Sequence, residues 1–386
     1  MKEHKKKDHS RHVQDTQTGE SSSHARKKRR IEEEQASREP PPLPPKHEQL
    51  WFDDGNVAII SRDTSFRLHR SVLEQHSSII SDLLECEVLD ANPGDAPSFQ
   101  ACIVLRADDS GAELARLLRV LYSIDRSLFD RRKPVKFLDL RGIALLAHKY
   151  NVHAILNEVS ERLSLAFPAI LEQSDIWIDL PKYIKSLDCA VHCTQSDLIG
   201  VVDLATRLDF PAVRVMGLYH ICRLDPSMVW DGVRYGDEHV QLPLDDLRLI
   251  AVASRRLCEA NTRVMSCIAM LHAYPSTFPR DTDCMAPAFC TPTTRNMLTD
   301  AIDNDCFAMP APLDRLDRWI DEETADLSVS PQGLCPSCSV ALKQAVNIMR
   351  HEALEGLGEI FGVQPWPPAG RSSPASDEED REGEDV

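Results

Sequence analysis

Residues 65–84 read SFRLHRSVLEQHSSIISDLL. Ser65–Leu68 is a short apolar run of strand length, set off by the turn-like Arg62-Asp63-Thr64 from a second such run, Asn56–Ile60 (NVAII). After Leu68 the pattern changes. Helical sequence starts at Arg70, and Ser77 is placed to cap the next helix, SSIISDLLE, with its hydroxyl accepting from a free backbone N–H. Two strands followed at once by two helices make a mixed α+β beginning.

Working outward, a Pro/Gly-rich loop (DANPGDAPS) leads to a further strand candidate, ACIVLRA. Leu114, Leu117, Leu118 and Leu121 then recur at i, i+3, i+4, i+7, the spacing of an amphipathic helix. Ile143, Leu146, Ala147 and Tyr150 predict another, and Ile155, Leu156, Val159 and Leu163 a third, split from it at Asn151. From about Asp175 the chain reads as helices throughout. Leu198, Val201, Val202, Ala205 and Leu208 form one stripe, and Val213, Met216, Ile221 and Leu224 another, with Pro211 near its first turn. DDLRLIAVASRRL, Pro312–Leu327, and a last helix carrying Leu342, Val346, Met349, Ala353, Leu357 and Ile360 complete the pattern. No tandem repeat of fixed period is present.

The chain has 386 residues, enough for two domains and tails. Residues 1–46 carry 12 basic and 8 acidic groups, few large apolar side chains and the run EPPPLPPK; residues 365–386 carry 2 basic and 7 acidic groups. Neither stretch can bury enough surface to offset its ordering entropy, so both are expected to be disordered. The part between holds 30 basic and 46 acidic side chains, and so acidic a body repels phosphate backbones. Nucleic-acid binding by the globular part is therefore not expected. No apolar run approaches the ~18 residues of a spanning helix, and the basic N-terminus lacks the apolar stretch of a signal peptide. Twelve cysteines without that signal point to reduced thiols or metal ligands in a soluble intracellular protein.

The stretch 65–84 resembles the signature of the BTB/POZ domain, in which an apolar strand ends in an aromatic-x-x-His-(Arg/Lys) corner, followed by a helix and a Ser opening the next. The matching residues are Phe66, His69, Arg70, Leu73, Ser77 and Leu83. LARLLRVLYSID is similar to that domain's third conserved helix, with Tyr122 as its closing aromatic. IALLAHKYNVHAILNEVSERL is similar to its closing helix pair, with Ala147, Tyr150 and Leu156 in place. The opening LWFDDGNV and the long loop before ACIVL are most like the BTB proteins numerous in mushroom-forming fungi. The C-terminal half resembles theirs too, in FPAVRVMGLYHICRL, PLDRLDRWIDE, the CPSC pair and an FGV-x-P-W ending.

The resemblance implies a small sheet with a helical cluster over residues 47–168, an all-α domain over 169–364, and disordered termini at 1–46 and 365–386. It implies homodimerisation through the first strand and helix, and docking to a cullin scaffold of ubiquitin ligases through the helix ending at Tyr122 and those after it. One position departs from the pattern. Many BTB transcription factors place an Asp before the first core strand, paired with a basic residue; here Asn56 stands before Val57, and a neutral amide removes that ion pair.

Several motifs carry two readings. His69-Arg70 reads as a structural corner rather than a catalytic pair, because no nucleophile or metal-spaced partner is near in sequence; His220, beside the apolar face of its helix, reads as a core histidine. Cys335-Pro-Ser-Cys338 has the spacing to chelate one zinc ion, with Cys284 and Cys290 as the second pair and Cys189-x-x-His192-Cys193 as a competing source. The alternative is free thiols packed as small hydrophobes. Arg26-Lys27-Lys28-Arg29-Arg30 fits a nuclear localisation signal or a solvated charge run, and Pro41-x-x-Pro44-x-Lys46 a polyproline ligand or a spacer. Ser373-Pro374 and Ser376-Asp-Glu-Glu are short matches to kinase sites. There is no GxSxG elbow, P-loop or HExxH pair, and Gly356-Leu-Gly358 with Gly362 follows a helix rather than a strand. The expectation is a non-enzymatic interaction protein; the alternative is a nuclear regulator acting with chromatin partners.

Overall fold

The two strands of the opening stretch pair antiparallel, β2 (Val57–Ile60) with β3 (Ser65–Leu68), and a parallel strand β4 (Ile103–Arg106) joins on the far side of β2. All four residues of β2 are buried, as befits a strand covered on both faces. This computed structural model describes residues 44–90, 102–169, 171, 190–273, 284–324 and 332–366. The basic run 26–30, Pro41, Cys189 and the serines of the acidic tail lie outside them.

A fourth strand, β1 (Lys46–Trp51), runs parallel to β3 and gives the sheet order β1-β3-β2-β4. The strand begins at Lys46, just ahead of residue 47 where the small sheet was expected to start. Ser65 is the reason: its N–H donates to the Pro45 carbonyl and its hydroxyl to that of Pro44, both at 2.8 Å. Backbone groups that prolines cannot pair among themselves are satisfied from β3.

Helices α1 (Arg70–His76) and α2 (Ser78–Asp90) follow the corner. Ser77 caps α2 as expected, its hydroxyl accepting from the Ile80 N–H at 3.0 Å. Of the two leucines that close the stretch, Leu84 is buried and Leu83 is exposed. Helix α3 (Gly111–Leu121) begins where Asp63 accepts from the Gly111 N–H at 2.8 Å, putting a carboxylate at the positive helix end. The strand pair β5 (Val135–Lys136) and β6 (Val191–His192) flanks α4 (Phe137–Lys149) and α5 (His153–Ala166), which part at Asn151 in the left-handed region, φ 53°.

The second half is mainly helical: α6 (Asp197–Arg207), α7 (Pro211–Ile221), α8 (Pro226–Asp231), the 30-residue α9 (Leu244–Ala273), α10 (Pro287–Asp303), α11 (Asp317–Glu322) and α12 (Pro336–Phe361). It is not all-α, however. Besides β6, a hairpin of β7 (Val233–Tyr235) and β8 (Glu238–Val240) interrupts it. Gly232 at φ 73° and Gly236 at φ 61° supply the positive angles that start and turn this hairpin. Within Pro312–Leu327, where a helix was expected, the described residues form a helix over Asp317–Glu322, and the Leu313 carbonyl ahead of it is taken by the buried Arg350 at 2.9 and 3.0 Å instead of serving a helix; residues 325–327 lie outside the described ones.

One apolar core runs from Leu50 through the first half into α6, α7 and the beginning of α9, and takes in the end of α12. A second, smaller core joins the end of α9, α10, α11 and the start of α12. The helices α9 and α12 thus lie antiparallel, each spanning both cores. Polar groups stitch the main core. Arg162, fully buried, donates to five backbone carbonyls: Ser127, Leu128, Asp130, Lys133 and Ala190, at 2.7–3.0 Å. Arg141 on α4 forks onto Glu238 of the hairpin at 2.8 Å and reaches Asp203 on α6 at 3.3 Å.

The hairpin is seated by a glycine. A Cβ on Gly200 would stand 2.2 Å from the Tyr235 hydroxyl and 2.9 Å from Phe137, so only glycine lets Tyr235 reach Asp197, to which it donates at 3.0 Å. Gly200→Ala is expected to destabilise the protein by about 1–3 kcal/mol in denaturant melts. Adding Tyr235→Phe, which removes the nearest atom, should restore part of that loss.

Candidate metal centre

Two cysteine pairs about forty-five residues apart in sequence meet at the edge of the smaller core. The sulfurs of Cys284, Cys290, Cys335 and Cys338 all lie within 4.8 Å of one another. A tetrahedral zinc–thiolate centre with bonds of ~2.3 Å has sulfurs ~3.8 Å apart, so slight inward shifts would close the set around one ion. These four cysteines could hold a metal ion. Of the competing source, Cys189 lies outside the described residues and Cys193 is buried in the main core; among the described residues the four-cysteine group alone converges.

Local structure explains the convergence. Cys335 is the N-cap of α12 and Cys338 lies in its first turn, with Pro336 at the position where a missing N–H costs nothing. Cys290 lies in the first turn of α10, begun in the same way by Pro287, and Cys284 stands three residues ahead of that helix. The cysteines were expected in irregular sequence ahead of helices; instead, two of them ride on the helices themselves. A short bridge between Thr324 and Leu334, reinforced by the Thr324 hydroxyl donating to Ser339, holds the approach to Cys335 in place.

The surroundings favour thiolate at Cys335. The Cys335 N–H donates to the Cys290 sulfur at 3.1 Å, and the N–H groups of Cys338 and Met285 point at the Cys335 sulfur. Such donors orient and stabilise metal-bound sulfur. Burial pushes Cys335 up, but these donors outweigh it and bring the thiol down to about 7. Burial pushes Cys290 up to about 11 and Cys338 higher still. One thiolate among close thiols, with N–H donors around it, is a site where metal binding displaces the remaining protons. Cys222 and Cys267 are the contrast: each is buried by itself, pushed up to about 11 by desolvation, and behaves as a small apolar side chain.

The residues singled out near the corner also come together. The Tyr122 hydroxyl accepts from the His69 N–H at 2.8 Å, and the His69 ring lies between that hydroxyl (3.4 Å) and Asp54 (3.2 Å). His69 was expected to donate to backbone from its ring; the ring meets a phenol and a carboxylate instead. Phe52 stacks on Tyr122 at 5.0 Å, and Phe66 is wholly buried beside them in the core. The Ser77 hydroxyl donates to the Tyr150 carbonyl and the Tyr150 hydroxyl to Asp109, both at 2.5 Å. Asn56 caps α1 by accepting from the Arg70 N–H at 2.8 Å, while the Arg70 guanidinium turns to Glu74. His220 is buried edge-on to Phe167 and Tyr219, and burial lowers its pKa to about 3, so it is neutral. Gly358 makes room for Trp366, whose indole N–H donates to the Leu354 carbonyl, and Gly362 ends α12 at φ 69°: helix-end geometry, not phosphate binding.

No protein-family model and no curated protein sequence matches the chain.

Proposed function

We propose that the chain is a non-enzymatic interaction protein whose first part is a BTB/POZ-type unit that pairs with a second copy of itself, and that the ion suited to its four-thiol centre is zinc. One observation carries the first reading: the residues that bear the BTB/POZ resemblance, far apart in sequence, touch one another. Tyr122 closes on His69, and Ser77 joins Tyr150. The chain order β2, β3, α1, α2, β4, α3 and the α4–α5 pair agrees with the element order read from the sequence. Ile79 and Leu83 are exposed one turn apart on α2 and offer apolar surface to a second copy. Zinc is favoured by four thiolate donors in a closed set, the structural-site chemistry of a soft, redox-silent ion.

The test of self-association needs the whole chain. Arg162 binds the carbonyl of Ala190, and the main core continues into α6 and α7, so a fragment ending near residue 170 would expose what those segments cover. Light scattering of the full chain should give a mass near twice 43.4 kDa, and Leu83→Asp should shift it toward monomer. A wild-type monomer at high micromolar concentration would sink the reading.

A cullin scaffold is the partner the resemblance suggests, contacting α3 and the segment after it. On that helix Arg119 is half-buried with its Nε enclosed, whereas Arg116 is exposed and is the arginine suited to a charge-reversal test. Nuclear regulators are the alternative partners, reached through Arg26–Arg30. Alanine in place of Lys27–Arg30 should then move a fluorescent fusion from nucleus to cytoplasm, and an unchanged distribution would remove the support for nuclear import.

A further inference from the structure

The four sulfurs are not equally protected. Cys290, Cys335 and Cys338 are buried, whereas Cys284 is half-exposed. Cys284 is also the one member outside a helix end: Cys290 and Cys338 are fixed in first turns and Cys335 caps α12, while Cys284 stands on extended chain ahead of α10. Its neighbour Met285 has a side chain 60 % exposed, and the Met285 N–H reaches the Cys335 sulfur. The 284–285 segment is therefore tied to the centre by one sulfur and one N–H donor, at the one side open to solvent.

We propose that the centre is an oxidant-responsive clamp in which Cys284 is oxidised by a peroxide, a second cysteine of the set closes a disulfide onto it, and the zinc ion leaves. This rests on the reading of the centre as a zinc site. In the first step the Cys284 thiolate attacks one peroxide oxygen and the O–O bond breaks; with one proton taken up, the products are a sulfenic acid and water. In the second, a neighbouring thiolate, Cys290 or Cys338, attacks the Cys284 sulfur, and the S–O bond breaks with loss of a second water after uptake of another proton. Two thiolates are oxidised by two electrons and one peroxide is reduced to two waters. The two thiolates left cannot complete a tetrahedron, so the ion is lost. The starts of α10 and α12, and the small core between them, then lose the ion that held them together and keep at most the new disulfide.

The experiment uses the full chain in a Cys86→Ser background, which removes the exposed thiol among the described residues. Zinc content is measured by atomic absorption, then hydrogen peroxide is added and released zinc is followed with a chromogenic chelator. One zinc should appear for every two thiols lost, peptide mapping should find Cys284 in a disulfide, and dithiothreitol with zinc should reverse both. Cys284→His keeps four ligands without the oxidisable sulfur and should retain its ion under the same peroxide. Zinc that stays bound after peroxide treatment overturns the proposal. So does a disulfide that excludes Cys284, or a Cys284→His protein that loses its ion as fast as wild type. A protein that holds no zinc after reconstitution overturns the zinc reading itself, and this outcome is distinguished by the first measurement.

Discussion

Arg162→Met is expected to cost the fold about 3–5 kcal/mol, the range seen when one partner of a buried charged network is removed. Methionine keeps the apolar stem and the helix propensity of α5, so the loss reports the guanidinium alone. Five carbonyls, four in the 127–133 loop and one at Ala190, would each lose a donor at 2.7–3.0 Å. An orphaned buried acceptor costs ~1–3 kcal/mol, and water entering the loop recovers part of the sum. Arg162→Lys should recover little, since one ammonium cannot reach five acceptors fanned around a planar fork. Urea melts measure the loss. A change below about 1 kcal/mol would mean that the loop holds itself together without the arginine.

Removing the metal should have a different signature. Structural zinc contributes on the order of 10 kcal/mol of apparent binding free energy in small sites, all of it coupled to local folding. A strong chelator is therefore expected to loosen the start of α12 and of α10, with faster amide exchange in Val264–Leu271, Met297 and Leu342–Val346, while exchange in β2, α3 and α5 stays unchanged. Cys338→Ser should reproduce the pattern without chelator. If exchange in the smaller core is indifferent to chelator, the four thiols are packing groups and nothing more.

What the sequence made legible follows from where the physics is local. The Ser77 cap, the break at Asn151 and the leucine stripe of α3 depend on neighbours within one or two turns, and each stands in the structure where the pattern put it. Leu83 and Leu84 show the limit: adjacent leucines are equivalent in a motif, and only packing decides which one is buried. The β7–β8 hairpin was missed because its strands are three residues long, below any periodic signal; Gly232 and Gly236 were its visible marks. Arg162 was invisible for another reason. It lies three residues after Val159, on the inward stripe of α5, but charge at such a position reads as surface until five backbone acceptors are seen around it. At the candidate metal centre, the Cys335–Cys338 pair was legible from its spacing and Cys284 and Cys290 stood out as its second pair, while the convergence of the four sulfurs within 4.8 Å is set by tertiary packing.

The two long helices that span both cores also set a schedule for the growing chain. The end of α9, Val264–Leu271, is apolar on the face that the start of α12 covers. In a chain made from its N-terminus at ~5–20 residues per second, some ~4–15 s separate residue 271 from residue 346. For that interval the strip has at most α10 and α11 to cover it, and two of the four thiols wait beside it for the other two. Cells short of chaperone capacity should therefore lose this protein to aggregation during synthesis, at a stage when its first core still waits for the end of α12.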